Sequence, residues 1–241
     1  CHRDRRFCTD RSGFKQPMKT GESQNCLISF RNVTLRVRDR RILAGTDWQI
    51  LAGQNWAVIG ANGSGKTTLL GALTGQTPVV SGNIRRQHPQ GQPAAIGYVS
   101  FELQQRLIAR EQDRDTARFF SGNFNDQLTA AQLFESARNE QATKNRRMEK
   151  IVKTLGLGQL MDRPLRALSS GECRKILIGC AVLRSHGLLV LDEPFEGVDF
   201  QGRRQLARAL RALIEIGVQV ILATHRMDYV SPDFSHVMGL K

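Results

Sequence analysis

Residues Gly60–Thr67 read GANGSGKT and lie between the apolar run WAVI and the apolar-periodic stretch LLGAL. The motif G-x-x-x-x-G-K-[ST] in this setting requires a strand, a tight loop and a helix in succession. Gly60, Gly63 and Gly65 allow the backbone to curl with several N–H groups pointing inwards. The positive end of the following helix dipole points to the same place. The loop is therefore predicted to bind the phosphates of a nucleotide.

The side chains of this loop suit the same role. Lys66 adds a full positive charge for the β- and γ-phosphates of a nucleotide, and the hydroxyl of Thr67 offers a ligand to Mg²⁺. The alternative is a chance glycine-rich turn, which the strand, the helix and the Lys-Thr-Thr run together disfavour. The predicted phosphate-binding residues are Gly60, Ala61, Asn62, Gly63, Ser64, Gly65, Lys66, Thr67 and Thr68.

Two carboxylates end the apolar run LLVLDE at residues 188–193. Asp192, at the carboxyl edge of the predicted strand, can hold Mg²⁺ through water, and Glu193 is placed to polarise an attacking water. The alternative is that both acids cap the next helix. An apolar run that delivers two acids beyond a matching phosphate loop favours the catalytic interpretation.

Strand and helix patterns alternate along most of the chain, which predicts an α/β fold. Residues 27–37 alternate as in a half-buried antiparallel strand, with Val33, Leu35 and Val37 on one face. Four apolar runs suit strands buried on both faces of a parallel sheet: 56–60, 95–99, 188–192 and 218–224. Helical patterns cover 66–73, 146–155, 171–184 and 201–216. The polar middle, about 103–165, is predicted to be a helical insertion with helical pieces around 129–139 and 144–155.

The charge balance bears on the partners of the chain. There are 35 Lys and Arg against 22 Asp and Glu, a formal net charge of +13. A positive net charge suits binding to nucleotides, nucleic acid or an acidic membrane surface. The alternative is that the charge serves solubility and one basic site.

None of the five cysteines belongs to a CxxC pair, which argues against a zinc site or a disulfide framework. No apolar run approaches the roughly 18 residues that span a bilayer, so no integral membrane segment is expected.

Three further motifs complete a recognisable set: LSSGE at 168–172, EGVD at 196–199 and ATHR at 223–226. Together with the phosphate loop and LLVLDEP, they make the chain resemble the ATP-binding-cassette (ABC) ATPases over about residues 27–240. The resemblance implies a P-loop NTPase fold of the ABC type. That fold has a mixed β-sheet core, an N-terminal antiparallel β-subdomain and an inserted α-helical subdomain.

The resemblance also bears on the two ends of the chain. Residues 1–17 carry many arginines and no hydrophobic period, and they are predicted to be a disordered or non-native extension before Met18. Residues 18–241 are predicted to form one ABC ATP-binding domain. Family members continue with a further turn and strand after the segment that reads HVMGLK here, so a C-terminal truncation is expected.

Two cassettes of this family pair head to tail and sandwich two ATP molecules. By resemblance, Ser169 and the backbone of Ser170 and Gly171 would cap the γ-phosphate of ATP on the partner, from a helix N-terminus. Asp199 would contact the partner cassette. Taken singly, LSSGE also fits an ordinary helix cap formed by Ser170.

The implied catalytic residues are Lys66, Glu193 and His225, and the implied metal-binding residues are Thr67 and Asp192. Glu193 would be the general base, and His225 would sense the γ-phosphate. Taken singly, His225 is more simply interpreted as a surface or core histidine. The ordered set of motifs favours the functional interpretation.

Two departures from the family pattern are visible. Family members stack adenine on an aromatic residue near the first strand, but the corresponding stretch around Val37, TLRVRDRR, contains none, which leaves Arg36 and Arg38 as candidates. FELQQ follows the strand IGYVS, so the glutamine of the family's Q-loop is either displaced to Gln104 or Gln105 or not used.

The implied function is hydrolysis of ATP with Mg²⁺ in a dimer of cassettes, either a homodimer or a tandem fusion in one chain. The energy would drive transport of a small solute such as molybdate through a membrane permease, from the cytoplasmic side of the cell membrane. The alternative is a non-transport tandem ABC ATPase in repair, translation or regulation, with nucleic acid as a partner that the charge permits.

Overall fold

A computed structural model of the chain describes residues 8–10, 25–37, 40–87, 95–121, 127–137, 144–185 and 187–240. The chain divides into two compact units: Cys1–Ile96, Val190–Glu193 and Gln219–Lys241 form the first, and Gly97–Leu189 and Pro194–Val218 the second. The strands are β1 (Cys8–Asp10), β2 (Cys26–Val37), β3 (Arg40–Leu51), β4 (Trp56–Gly60), β5 (Ser81–Arg86), β6 (Ile96–Ser100), β7 (Leu188–Asp192), β8 (Gln219–Thr224) and β9 (His236–Leu240). The helices are α1 (Lys66–Thr74), α2 (Phe101–Ser121), α3 (Ala130–Ser136), α4 (Lys144–Leu155), α5 (Ser170–Arg184) and α6 (Phe200–Glu215).

The first unit contains a small antiparallel sheet in the order β3-β2-β5. The predicted alternation in β2 holds for Val33 and Leu35, which are buried together with Ile28 and Phe30, whereas the side chain of Val37 lies outside what the structure describes. The register shifts between Phe30 and Val33, where Asn32 has a φ of 49°. An extra residue at this point keeps the alternation in phase, so all four apolar side chains are buried. This sheet confirms the antiparallel β-subdomain.

The first unit contains strands β1, β9, β4 and β8 of the larger sheet, in that order, followed by residues 190–192 of β7. Strand β4 runs parallel to both neighbours, with Trp56 opposite Ile221 of β8 and His236 of β9, while β1 is antiparallel to β9. Every residue of β7 and β8 is buried, as expected for strands covered on both faces. The sheet is therefore mixed, as predicted. Of residues 1–17, only β1 lies within the described residues.

Helix α5 is the centre of the second unit, and α2, α3, α4 and α6 all pack against it. The ring of Phe134 in α3 lies so close to Gly179 that a Cβ there would come within 2.5 Å of it. Helices α3 and α4 occupy the predicted helical pieces, whereas α2 was not predicted as a helix. The inserted helical subdomain is confirmed.

Within the described ranges, no helix has both the length and the apolar character that crossing a bilayer requires.

Candidate nucleotide-binding site

The phosphate loop connects β4 to α1, as predicted. Gly63 and Gly65 have φ angles of 83° and 94°, in the left-handed region that favours glycine. A Cβ on Gly60 would lie 2.7 Å from the carbonyl oxygen of Leu240, so this position also requires glycine. The N-cap residue of α1 is Gly65, and within the described residues no side-chain hydrogen bond caps this helix start. Such a helix end suits an anion.

The remaining loop residues offer mainly polar groups. Ala61 and Asn62 are exposed, Thr67 is exposed, and Thr68 is half-buried. The hydroxyl oxygen of Ser64 is buried and has no hydrogen-bond partner among the described residues. Because a buried hydroxyl without a partner costs free energy, a phosphate oxygen that accepts its proton would stabilise the loop.

Lys66 lies across the loop and is only 5% exposed. Its Nζ donates to the carbonyl oxygens of Gly60 at 2.8 Å and Ala61 at 3.1 Å. It also forms an ion pair with Oε1 of Glu193 at 3.3 Å. A lysine ammonium has three protons, and hydrogen bonds to the two carbonyl oxygens of the loop use two of them.

Glu193 follows the last residue of β7 and links two other candidate residues. Its Oε2 lies 3.1 Å from Nδ1 of His225, and its Oε1 pairs with Lys66. Its backbone has a φ of 46°, which is unusual for a side chain of this size, and its N–H donates to the carbonyl oxygen of Ala223 at 2.9 Å. Strained backbone of this kind concentrates at functional sites. The three predicted catalytic residues therefore form one contact chain: Lys66, Glu193, His225.

The predicted metal-binding residues supply oxygen donors. Asp192 ends β7 with a side chain that is buried, and Thr67 presents its hydroxyl in the first turn of α1. Mg²⁺ binds hard oxygen ligands such as carboxylates and hydroxyls. These two residues therefore fit Mg²⁺ by the chemistry of their donors.

The LSSGE segment forms the start of α5 in the second unit. Ser169, and not Ser170, is the N-cap: its Oγ accepts from the N–H of Glu172 at 3.3 Å, and the Glu172 carboxylate accepts from the N–H of Ser169 at 2.8 Å. This is a capping box, with S-x-x-E spacing. The interpretation of Ser170 as the cap is therefore wrong, because only Ser169 lies three residues before Glu172. Gly171 packs closely, since a Cβ there would lie 3.4 Å from the Cα of Gly202.

Other predicted residues have local roles in the second unit. Asp199 caps α6, its Oδ1 accepting from the N–H of Gly202 at 2.6 Å, and it is exposed. Gln104 is buried and donates to the carbonyl oxygen of Ser170 at 3.1 Å, whereas Gln105 is exposed.

Arg36 and Arg38 are the two residues that the sequence offered for contact with adenine. Arg36 is exposed, and Arg38 lies outside the described residues. One buried residue of the second unit was missed by the sequence reasoning, namely Arg174. Its position three and four residues before the buried Leu177 and Ile178 is a signal that it faces inwards.

Comparison with known proteins decides the family. A model of the ABC transporter family matches residues 43–196. The chain belongs to the ABC transporter family. The motifs had indicated the same family.

Relatives of this ABC chain include two bacterial ATP-binding proteins. It is 34% identical to the ABC transporter ATP-binding protein ModF of Escherichia coli, over 86% of this chain and 39% of ModF. It is 31% identical to the zinc import ATP-binding protein ZnuC of Magnetococcus marinus, over 89% of this chain and 74% of ZnuC. The chain thus spans well under half the length of ModF.

Solved ABC structures share the fold. The chain superimposes on cbiO1 from Clostridium perfringens, part of the ABC transporter complex cbiONQ, with a TM-score of 0.69 and 23% identity, over 90% of this chain and 85% of cbiO1. An inward-facing metal-chelate type ABC transporter gives a TM-score of 0.68 with 22% identity, over 90% of this chain and 80% of the other. The predicted ABC ATPase fold is therefore confirmed.

Proposed function

We propose that this ABC cassette binds ATP with Mg²⁺ at the phosphate loop and hydrolyses it when paired head to tail with a second cassette. The contact chain from Lys66 through Glu193 to His225 carries the proposal. It brings together a cation for the phosphates, a carboxylate for proton transfer and an imidazole beside that carboxylate.

Binding of ATP exchanges the ion-pair partner of Lys66. The ammonium keeps the carbonyl oxygens of Gly60 and Ala61, which hold it in the loop, and a phosphate oxygen replaces the carboxylate of Glu193. The N–H groups at the start of α1 bind further phosphate oxygens. Asp192 and Thr67 would hold Mg²⁺, and the ion would supply positive charge that neutralises the phosphates.

Release from Lys66 leaves Glu193 able to act as the general base. A water oxygen forms a bond to the γ-phosphorus, the bond from that phosphorus to the ADP oxygen breaks, and the water proton passes to the Glu193 carboxylate. His225 keeps the carboxylate oriented through the contact between Nδ1 and Oε2.

The signature serves the ATP of the partner cassette. The Ser169 hydroxyl accepts a hydrogen bond from the N–H of Glu172, so its own proton remains available for a γ-phosphate oxygen. Ser170 and Gly171 add the N–H groups of a helix start, and the exposed Asp199 contacts the partner. The partner is a second copy of this chain or a second cassette in the same polypeptide.

A mixing experiment tests the head-to-tail arrangement. Lys66→Ala removes the phosphate-binding cation, and Ser169→Ala removes the signature hydroxyl, so each variant alone is expected to release phosphate slowly. In a mixed pair, the intact phosphate loop of the Ser169→Ala chain meets the intact signature of the Lys66→Ala chain, which restores one complete site. Recovery of phosphate release on mixing supports the proposal, and no recovery contradicts it.

The cycle is proposed to energise transport of a small solute through a permease at the cytoplasmic face of the cell membrane. Support comes from the family and from the names of the relatives, one of which is a zinc import ATP-binding protein. The proposed solute is molybdate or another small solute. A tagged chain isolated from its native cell should bring with it a protein that has several apolar membrane spans. Recovery without any membrane protein would contradict transport and favour a non-transport ABC ATPase.

A further inference from the structure

Arg174, in the second turn of α5, is 0% exposed although it carries a guanidinium group. Its Nε donates to Oε1 of Gln104, its Nη1 to the carbonyl oxygen of Pro194 at 3.0 Å, and its Nη2 to that of Glu196 at 3.4 Å. One side chain thus connects three segments that lie far apart in the sequence. They are the first turn of α2, the loop 194–197 and the signature helix α5.

Gln104 completes the connection to the signature. It is 1% exposed, its Nε2 donates to the carbonyl oxygen of Ser170 at 3.1 Å, and its Oε1 accepts from Arg174. Both ends of the amide are therefore engaged within the second unit. The same side chain contacts the first residue of α5 and the guanidinium four residues further along that helix.

The packing around the guanidinium holds the loop 194–197 in place. The guanidinium carbon of Arg174 lies 5.7 Å from the centroid of the Phe101 ring. Gly197 has a φ of 68°, and a Cβ there would lie 2.8 Å from an atom of the same ring. The loop therefore cannot leave α2 and α5 without breaking the contacts of Arg174.

The chemistry of this position requires arginine. Burial lowers the pKa of Arg174 to about 10, so the group stays charged at neutral pH. The free-energy cost of a buried cation is offset by directed hydrogen bonds to oxygens on several sides. A lysine ammonium cannot reproduce the planar fork of donors that reaches three separate acceptors.

We propose that Arg174 and Gln104 form a positioning pair that holds the first turn of α5 and the loop 194–197 in one fixed arrangement. The inference rests on the proposed function, in which Ser169 and its neighbours bind the ATP of the partner cassette. The loop begins at the residue after Glu193, the base for the cassette's own ATP. A movement of this loop is therefore passed to the signature, so the two ATP sites of a cassette pair are coupled.

The test uses a Glu193→Gln background, in which an ATP-bound pair accumulates. Arg174→Lys and Gln104→Met are compared with Arg147→Lys in that background. Arg147 is a matched control because its Nη2 also donates to two carbonyl oxygens, those of Val182 and Ser185 at 2.8 and 2.7 Å, but at the other end of α5.

Two quantities are measured for each variant. The first is the affinity of the dilute single cassette for a fluorescent ATP analogue. The second is the ATP concentration at which half of the chains sediment as dimers. Thermal unfolding is recorded beside them, since a purely structural role would lower Tm without changing the ATP requirement of dimerisation.

Arg174→Lys and Gln104→Met are expected to raise the ATP concentration for half dimerisation by about tenfold or more, with the affinity of the single cassette changed by less than about twofold. The double variant should need no more ATP for half dimerisation than the more impaired of the two single variants, because the two residues act as one unit. Arg147→Lys should lower only Tm.

Dimerisation of both variants at the parental ATP concentration would overturn the proposal, and so would an equal effect of Arg147→Lys. If Arg174→Lys fails to fold, Gln104→Met decides, because it leaves the buried cation in place. Absence of any ATP-dependent dimer in the Glu193→Gln parent would instead contradict the proposed function.

Discussion

The ammonium nitrogen of Lys66 lies 3.3 Å from Oε1 of Glu193. Under the proposed function, a phosphate oxygen of ATP takes the place of the Glu193 carboxylate beside the Lys66 ammonium, which breaks this ion pair. Glu193 is therefore held in the ion pair until ATP arrives, and Lys66 releases Glu193 when Lys66 binds the phosphates of ATP.

Lys66→Ala should abolish useful ATP binding. The variant loses a charge-assisted contact to phosphate and the two hydrogen bonds to the carbonyl oxygens of Gly60 and Ala61. The Kd for a fluorescent ATP analogue should rise by about 100-fold or more, equivalent to roughly 2.7 kcal/mol. Lys153→Ala, at an exposed position of α4, is the control and should bind normally. A Kd for Lys66→Ala close to the parental value would refute the role of this lysine.

Glu172→Gln should make the free energy of unfolding depend less on pH under acidic conditions. The N–H of Ser169 donates to the Glu172 carboxylate and is the main reason that its pKa lies below its ordinary value. The folded chain thus binds this proton more weakly than the unfolded chain. The stabilisation is complete above the ordinary value of a glutamate and is lost as the pH falls through the lower folded-state value.

A glutamine at this position can still complete the capping box but does not titrate. Urea unfolding is measured for Glu172→Gln and for the parent from pH 7 down to pH 4. Over this range the free energy of unfolding should fall less for Glu172→Gln than for the parent, and the difference should be at most about 1 kcal/mol. Glu149→Gln, on the exposed side of α4, serves as the control. Parallel profiles for Glu172→Gln and the parent would refute this account of the cap.

Gly179→Ala should destabilise the second unit. The added Cβ would lie 2.5 Å from Phe134 and 3.2 Å from Leu155, so α3 and α4 would have to shift against α5. Overpacking of this kind costs about 1–3 kcal/mol. Gly158→Ala is the matched control, because a Cβ added there would meet no described atom within 4 Å and its φ is ordinary. Equal denaturation midpoints for the two variants would contradict the described packing.

Cys173 and Cys180 should resist thiol reagents in the folded chain. Burial raises the pKa of Cys173 to about 11 and that of Cys180 to about 12, so almost no reactive thiolate exists at neutral pH. Cys26 is half-buried and should react earlier. Peptide mapping after timed labelling separates the sites. Labelling of Cys180 as fast as Cys26 would contradict its burial.

The parts of the fold that the sequence predicted are those with a local cause. The phosphate loop follows from three glycines and a lysine at fixed spacing, and β7 and β8 follow from short apolar runs. Strand β5 reads SGNIRR and has one apolar residue, Ile84, so it shows no hydrophobic period. Helix α2 carries charges along most of its length, so its sequence shows no clear apolar period and did not predict a helix.

The candidate site divides in the same way. Lys66 was found from the fixed spacing of the phosphate-loop motif, and Asp192 and Glu193 were found because they end a recognisable apolar run. The choice between Ser169 and Ser170 as the cap could have been made from the S-x-x-E spacing to Glu172. The pairing of Gln104 with Arg174 joins positions 70 residues apart, so only the three-dimensional packing shows it.

The most direct test of the central claim is the rate of phosphate release by Glu193→Gln. This change keeps the size of the side chain and its reach to Lys66 and His225 but removes the basic carboxylate. We expect ATP to bind and to drive dimerisation as in the parent, while kcat falls by about 10²–10⁴-fold, the usual contribution of a general base. Turnover by Glu193→Gln at the parental rate would show that Glu193 is not the base and would contradict the account of the site.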